Sequence, residues 1–294
     1  MNSKKRRTDE SSSRTAAFTC MCRASSNMER NEFYHSDDTI APRLLPHSVK
    51  FLLRCKLINL KWPIFAKGIY EYVIARTRYM DELVKDAIED GIDQIFIFGA
   101  GFDSRANRFE SISRNTNFFE LDTYHTQSAK LDQFKKRNIP LPKKTVYIPI
   151  DFNRESVPKK IQRKGFDPQK KTLFLMEGLI MYLEPEAVCD LFNTVHSLSS
   201  PGSGVVFDYI HASVLRKEHR YYGEKSIFDT VGSVKESWQF GIEDGEVGSF
   251  VEASGFILLE NLDWKDLEKR YFTDGSKNRV ARVNGTHGIA HVKK

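Results

Sequence analysis

A chain of 294 residues, 40% hydrophobic and 29% charged, is long enough to bury a full core and reads as one α/β domain with embellishments rather than two domains. Its 45 Lys and Arg stand against 39 Asp and Glu for a net charge of +6, a mixed balance that fits a globular protein and gives no reason to expect a nucleic-acid partner. No apolar run approaches the ~20 residues that cross a bilayer, so no membrane partner is expected.

Residues 1–14 are charged and serine-rich and include Lys4-Lys5-Arg6-Arg7. With no apolar stretch of the kind a secretory signal carries, they are expected to form a disordered basic tail on a cytoplasmic protein, a nuclear address being the alternative use of the basic run. The four cysteines, Cys20, Cys22, Cys55 and Cys189, lack the second pair or histidine cluster of a zinc site, and no metal centre is expected. A short helix over 16–23 gives way to a polar loop and a turn at Ala41-Pro42. A longer helix spans about 68–90, where Met80, Leu83, Val84, Ala87 and Ile88 form one apolar stripe and Gly91 follows as the stop.

From there strand and helix alternate, which demands right-handed crossovers and a parallel sheet. Strands are expected at 94–98, 117–121, 145–150, 172–176 and 204–210, with helices at 103–110, 123–138, 154–164 and 185–199. Pro185 suits the first turn of the last of these helices. The segment 211–241 has weaker periodicity and reads as a lid insertion; its Tyr221, Tyr222, Phe228, Trp238 and Phe240 either pack the lid down or line an apolar pocket. A helix at 245–254, a strand at 256–262, a helix at 264–271 and a closing strand at 287–292 complete the chain, adding a late hairpin to a five-strand parallel core.

The first strand stops at Gly99-Ala100-Gly101-Phe102-Asp103, and the second ends in Asp122 about 20 residues later. A glycine turn against a ligand, followed by a carboxylate placed to accept ribose hydroxyls, is the layout of a nucleoside-binding βαβ unit. Ser104 stands where a dinucleotide fingerprint has its third glycine, which disfavours a pyrophosphate and favours a nucleoside without phosphates such as S-adenosylmethionine. Asp151 and Glu177 fall at the ends of the third and fourth strands, with Asp208 inside the fifth. Ligands of open parallel sheets bind outside these ends. Asp122 is expected on the ribose, with helix capping as a compatible second use, and Asp151 with Phe152 on an adenine.

Several stretches in order resemble the S-adenosylmethionine-dependent methyltransferases that include the leucine carboxyl methyltransferases and related bacterial O-methyltransferases. They are Ala75-Arg76-Thr77-Arg78-Tyr79-Met80-Asp81, the run from Gly99 to Phe109, Phe119-Glu120-Leu121-Asp122, Ile150-Asp151-Phe152, the run from Glu177 to Ala187, and Ser200-Pro201-Gly202-Ser203-Gly204. The likeness covers nearly everything from Thr15 onward. It implies a class I methyltransferase Rossmann-like fold, with N-terminal helices and a mostly parallel seven-stranded sheet whose last strand is antiparallel. It also implies that Arg76 binds the methionine carboxylate of S-adenosylmethionine, that Gly99 lies against the methionyl part and that Glu177 contacts the methionyl end near the sulfonium. Arg23 is a further candidate for the carboxylate. Asp38 is followed by Thr39 where the family often has proline, which bears on loop shape.

The expected activity is O-methylation of a small molecule or of a protein C-terminal carboxylate. A carboxylate acceptor needs no general base; a hydroxyl does, and His211 at the end of the fifth strand is the first candidate. A nicotinamide-dependent oxidoreductase and a non-enzymatic S-adenosylmethionine-binding protein are the competing expectations. Neither the acceptor nor the oligomeric state is legible in the chain.

Overall fold

The computed structural model describes residues 13–61, 66–113, 115–161, 163–227 and 237–294. The basic run at 4–7 and Phe228 lie outside the described residues. Seven strands form one sheet in the order β3-β2-β1-β4-β5-β7-β6. They are β1 (Gln94–Phe98), β2 (Asn117–Asp122), β3 (Thr145–Pro149), β4 (Thr172–Met176), β5 (Gly204–Ile210), β6 (Ile257–Leu262) and β7 (His287–Lys293). β1 to β5 are parallel, and β7 runs antiparallel between β5 and β6. This is the expected sheet.

The strand sequences explain why both faces are covered. Along β1, Ile95 and Ile97 point to one face with Val73, Met80, Val84 and Ile88 of α4 (Ile69–Glu89). Phe96 and Phe98 point to the other, with Phe119, Phe174 and Phe207 and with Phe192 and Val195 of α8 (Pro185–Leu198). All five β1 residues are buried, as a central parallel strand requires. Gly91 adopts φ +77° after α4, and the Ile92 N–H returns to Ala87 O at 2.9 Å, closing the helix as expected.

Differences from the expected elements concentrate in the N-terminal segment. α1 (Arg14–Met28) is twice the expected length, because the Ser13 hydroxyl caps it through the Ala16 N–H (3.0 Å) and it buries Cys20, Cys22 and Ala24. Ala41-Pro42 is the first turn of a helix, α2 (Ala41–Leu44), and not a turn between loops: Asp38 Oδ1 accepts the N–H groups of Ile40 (3.1 Å) and Ala41 (2.9 Å), and Pro42 sits where no N–H is needed. α3 (His47–Arg54) follows. α5 (Arg105–Arg108) and α7 (Val157–Ile161) are shorter than expected, whereas α6 (Tyr124–Lys136) matches closely. Past β5 come α9 (Ala212–Leu215), α10 (Val247–Glu252) and α11 (Trp264–Tyr271). No helix among the described residues is long and apolar enough to cross a membrane.

Register sets the site. Phe98 pairs with Leu121 on one side and Met176 on the other, and Met176 pairs with Phe207. One step further along, Gly99, Asp122, Glu177 and Asp208 therefore sit level at the carboxyl edge of four adjacent strands. Because β7 is antiparallel, its first residue, His287, reaches the same edge opposite Ile210.

Candidate active site

A cavity of about 330 Å³ opens at this edge. Arg76, Gly99, Asp122, Asp151, Phe152 and Glu177 all line it. The turn after β1 is closed by the Ala100 N–H on Leu121 O (2.9 Å), with Gly99 at φ +62° and Gly101 at φ +50°. These left-handed values suit glycine, and a Cβ on Gly99 would stand 3.0 Å from Leu179 Cδ1.

Asp122 stabilises that turn from below. Its Oδ2 accepts the Gly101 N–H at 2.5 Å and its Oδ1 the Thr123 N–H at 2.6 Å. Burial pushes its pKa above the ordinary carboxylate value, against the pull of those two N–H groups. A carboxylate has about four acceptor positions, so roughly two remain for a ligand.

Glu177 and Arg76 belong to a buried ion network. Arg76 donates through Nε to Glu177 (3.1 Å) and through Nη1 to Asp208 (2.5 Å), which is fully buried and also accepts from the Tyr72 hydroxyl (3.0 Å) and the Gly178 N–H (2.6 Å). Arg105 donates to Glu177 (2.7 Å), Asp103 (2.5 Å) and Asp81 (2.7 Å). Arg108 holds Asp81, and Arg23 holds Asp38 (2.6 Å) together with Phe102 O (2.7 Å). Burial opposes the charge on Glu177, but the guanidinium groups of Arg105 and Arg76 keep its pKa below the usual value. Asp103 is likewise buried yet held down at about 2, chiefly by Arg105. Among the described residues, four arginines thus face five carboxylates: Asp38, Asp81, Asp103, Glu177 and Asp208. Arg76 and Arg23 are therefore already engaged with the protein's own carboxylates, and this network holds one more carboxylate than arginine.

Asp151 is the least committed to the cavity. Its Oδ1 accepts the Asn153 N–H (3.0 Å) and its Oδ2 lies 3.4 Å from Arg154 Nε, so it also serves as a turn residue. Phe152 packs on Phe98 at 5.9 Å between ring centroids.

His211 does not line the cavity. It stacks on Tyr221 (4.6 Å) with Nδ1 2.9 Å from Asp244 Oδ1, and it is tied to the following segment by the Ile242 N–H on Ile210 O. Trp238, one of the lid aromatics expected either to pack the lid down or to line an apolar pocket, does line it, as do Tyr72 and His287, which the motifs did not single out. Among the described residues no cluster of His, Cys, Asp and Glu could hold a metal ion.

Residues 17–196 match the family model of the leucine carboxyl methyltransferases. A Bacillus subtilis protein provisionally named an S-adenosyl-L-methionine-dependent methyltransferase is 25% identical, over 75% of this chain and 72% of its own. A similarly named Mycobacteroides abscessus protein is 37% identical over 147 residues, 49% of this chain and 48% of its own; over most such relatives the chain spans about half their length. Among solved structures, a duf574 family protein from Streptomyces avermitilis superposes with a TM-score of 0.60 at 13% identity, covering 96% of this chain and 98% of that one. A provisionally named methyltransferase from Thermobifida fusca gives 0.55 at 15% identity with the same coverage, so the whole fold is shared.

Proposed function

The chain belongs to the leucine carboxyl methyltransferase family, and on that footing we propose that its cavity binds S-adenosylmethionine and passes the methyl group to an oxygen of an acceptor. The observation that carries this reading is the level placement of Gly99, Asp122 and Glu177 at three adjacent strand ends, on one cavity with Arg76, Asp151 and Phe152.

The residues suit that molecule in three respects. Asp122 keeps two acceptor positions for a pair of ribose hydroxyls. Phe152 and the Asp151 carboxylate offer a stacking face and an acceptor for the adenine amine. The excess of carboxylate around Arg76 complements a ligand whose sulfonium and ammonium together outweigh its one carboxylate. S-adenosylmethionine supplies an activated methyl on a good leaving group. The chain's task is then to bind, to orient the acceptor and to exclude water, by which approach and alignment alone lower the barrier.

A nicotinamide dinucleotide suits the site poorly. The N-terminus of α5, where a pyrophosphate would sit, is already capped by the Asp103 carboxylate, which accepts the Arg105 N–H at 2.7 Å and remains charged. A phosphate placed there would meet a buried anion.

The test is a transfer assay with S-adenosylmethionine labelled with ¹³C at the methyl, run against fractionated small-molecule extract and against peptides with a terminal leucine carboxylate. A new O–CH₃ carbon resonance supports the reading; transfer only to nitrogen or carbon contradicts the oxygen assignment. Tight binding with no transfer to any pool would favour a non-enzymatic binding protein.

A further inference from the structure

Resting on the proposed methyl transfer, we infer that His287 is the general base of the reaction and that the acceptor is a phenol-type hydroxyl. The side chain sits at the first position of β7, two strands beyond Glu177 along the carboxyl edge, about 10 Å at the usual strand spacing. It lines the cavity, with its ring stacked on Tyr72 at 4.4 Å and edge-on to Trp238 at 5.5 Å.

A hydrogen-bond chain fixes which nitrogen carries the proton. Asn284 Nδ2 donates to Lys67 O (2.8 Å), so its Oδ1 is the acceptor facing Thr286. The Thr286 hydroxyl gives its one proton to that oxygen (2.5 Å) and must therefore accept from its other neighbour, His287 Nδ1 (2.7 Å). Nδ1 is thus protonated, and Nε2 carries the lone pair. Among the described residues, the hydrogen bond of the imidazole ring is the one at Nδ1. An oriented imidazole with its acceptor nitrogen uncommitted, held by a second group through the other nitrogen, is the arrangement of a general base.

The surroundings choose the acceptor. Ala66, Ile69, Val73 and Ile227 join Tyr72 and Trp238 on the cavity wall, a lining for a flat apolar ring. Besides the stacked Tyr72 phenol, the charged or titratable groups facing His287 are Arg76 of α4, which is paired to Asp208 of β5, and His211 at the end of β5. Burial first, then these two neighbours, drive His287 well below its ordinary pKa, so it is neutral at pH 7 and a weak base. A weak base can relieve a phenol, whose pKa is about 10, far more readily than an aliphatic alcohol. In the transfer the methyl C–S bond breaks with its electron pair staying on sulfur, the acceptor oxygen forms the new O–CH₃ bond, and the hydroxyl proton passes to Nε2. The imidazolium so formed then releases that proton to solvent.

Two measurements test this. ¹⁵N–¹H correlation spectra of the full chain, with His287 assigned by its absence in His287→Gln, report the tautomer; Nδ1–H with a bare Nε2 is expected, and an Nε2–H tautomer overturns the proposal without any acceptor being known. Turnover is then followed as S-adenosylhomocysteine formed with 4-methylphenol and 2-naphthol against 4-methylbenzoic and 2-naphthoic acids. Phenol-only turnover is expected, with kcat for His287→Gln lowered about 10²–10⁴-fold at pH 7 and recovering as pH rises toward the phenol's own ionisation. Turnover of the acids with His287→Gln unchanged overturns the proposal. Calorimetry separates the two levels: wild type that fails to bind S-adenosylmethionine sinks the parent reading, whereas unchanged affinity in both proteins leaves any failure to the base assignment.

Discussion

Removing the carboxylate in Asp122→Ala isolates the contact on which the cofactor assignment depends. In the wild-type chain Asp122 spends two acceptor positions on the N–H groups of Gly101 and Thr123, leaving about two for the ligand. Two charge-assisted bonds to ribose hydroxyls amount to about 2–4 kcal/mol of affinity, a roughly 30- to 1000-fold rise in Kd. The substitution also strands the buried Gly101 N–H, which costs about 1–3 kcal/mol of stability, so a fall in affinity alone does not identify the ribose. The decisive assay is a calorimetric cycle of both proteins with S-adenosylmethionine and its 2′,3′-dideoxy analogue. Wild type should lose the same 30- to 1000-fold with the analogue, and Asp122→Ala should bind the two ligands nearly alike. A variant that still discriminates against the dideoxy ligand by the wild-type factor would refute the ribose assignment.

Arg105→Leu leaves Asp81, Asp103 and Glu177 without their shared cation, and should cost about 3–5 kcal/mol, lowering Tm by on the order of 10 °C in a calorimetric melt. Asp103 has a folded pKa of about 2 against an ordinary 3.8, so the native state binds fewer protons than the unfolded chain between those values. Its contribution of about 2 kcal/mol is present above pH 4 and is lost as pH falls toward 2. Asp103→Asn should flatten the acid limb of Tm against pH; an unchanged limb would contradict the ion-pair account. Gly99→Ala places a Cβ on a left-handed residue and should destabilise by about 1–2 kcal/mol in urea unfolding, with little of it steric because the near atom is the mobile end of Leu179.

The sheet and the gathering of the strand-end residues on one cavity were legible because both depend on local signals. Apolar runs ending in glycine or an acid mark buried parallel strands and their carboxyl ends, and the parallel register then carries Gly99, Asp122 and Glu177 to one level. What stayed hidden depends on partners distant in sequence. Ser13 caps α1, and Asp38 turns the Ala41-Pro42 segment into a helix; neither fate is visible without knowing that the side chain is buried against it. The arginines suggested cofactor contacts, but Arg76 finds Asp208 at 132 residues' separation. His211 drew notice by standing at the end of a parallel strand, yet Asp244 and Tyr221 hold it outside the cavity lining. His287 went unmarked because it begins a strand; only the antiparallel direction of β7 brings that first residue to the ligand edge.

Titration of the purified chain with S-adenosylmethionine, S-adenosylhomocysteine and NAD tests the central claim most directly. Micromolar binding of the first two is expected, the charged sulfonium form being favoured by the carboxylate excess around Arg76, and no heat with NAD. Binding of NAD alone would contradict it, since the buried Asp103 anion should exclude a pyrophosphate from the glycine turn.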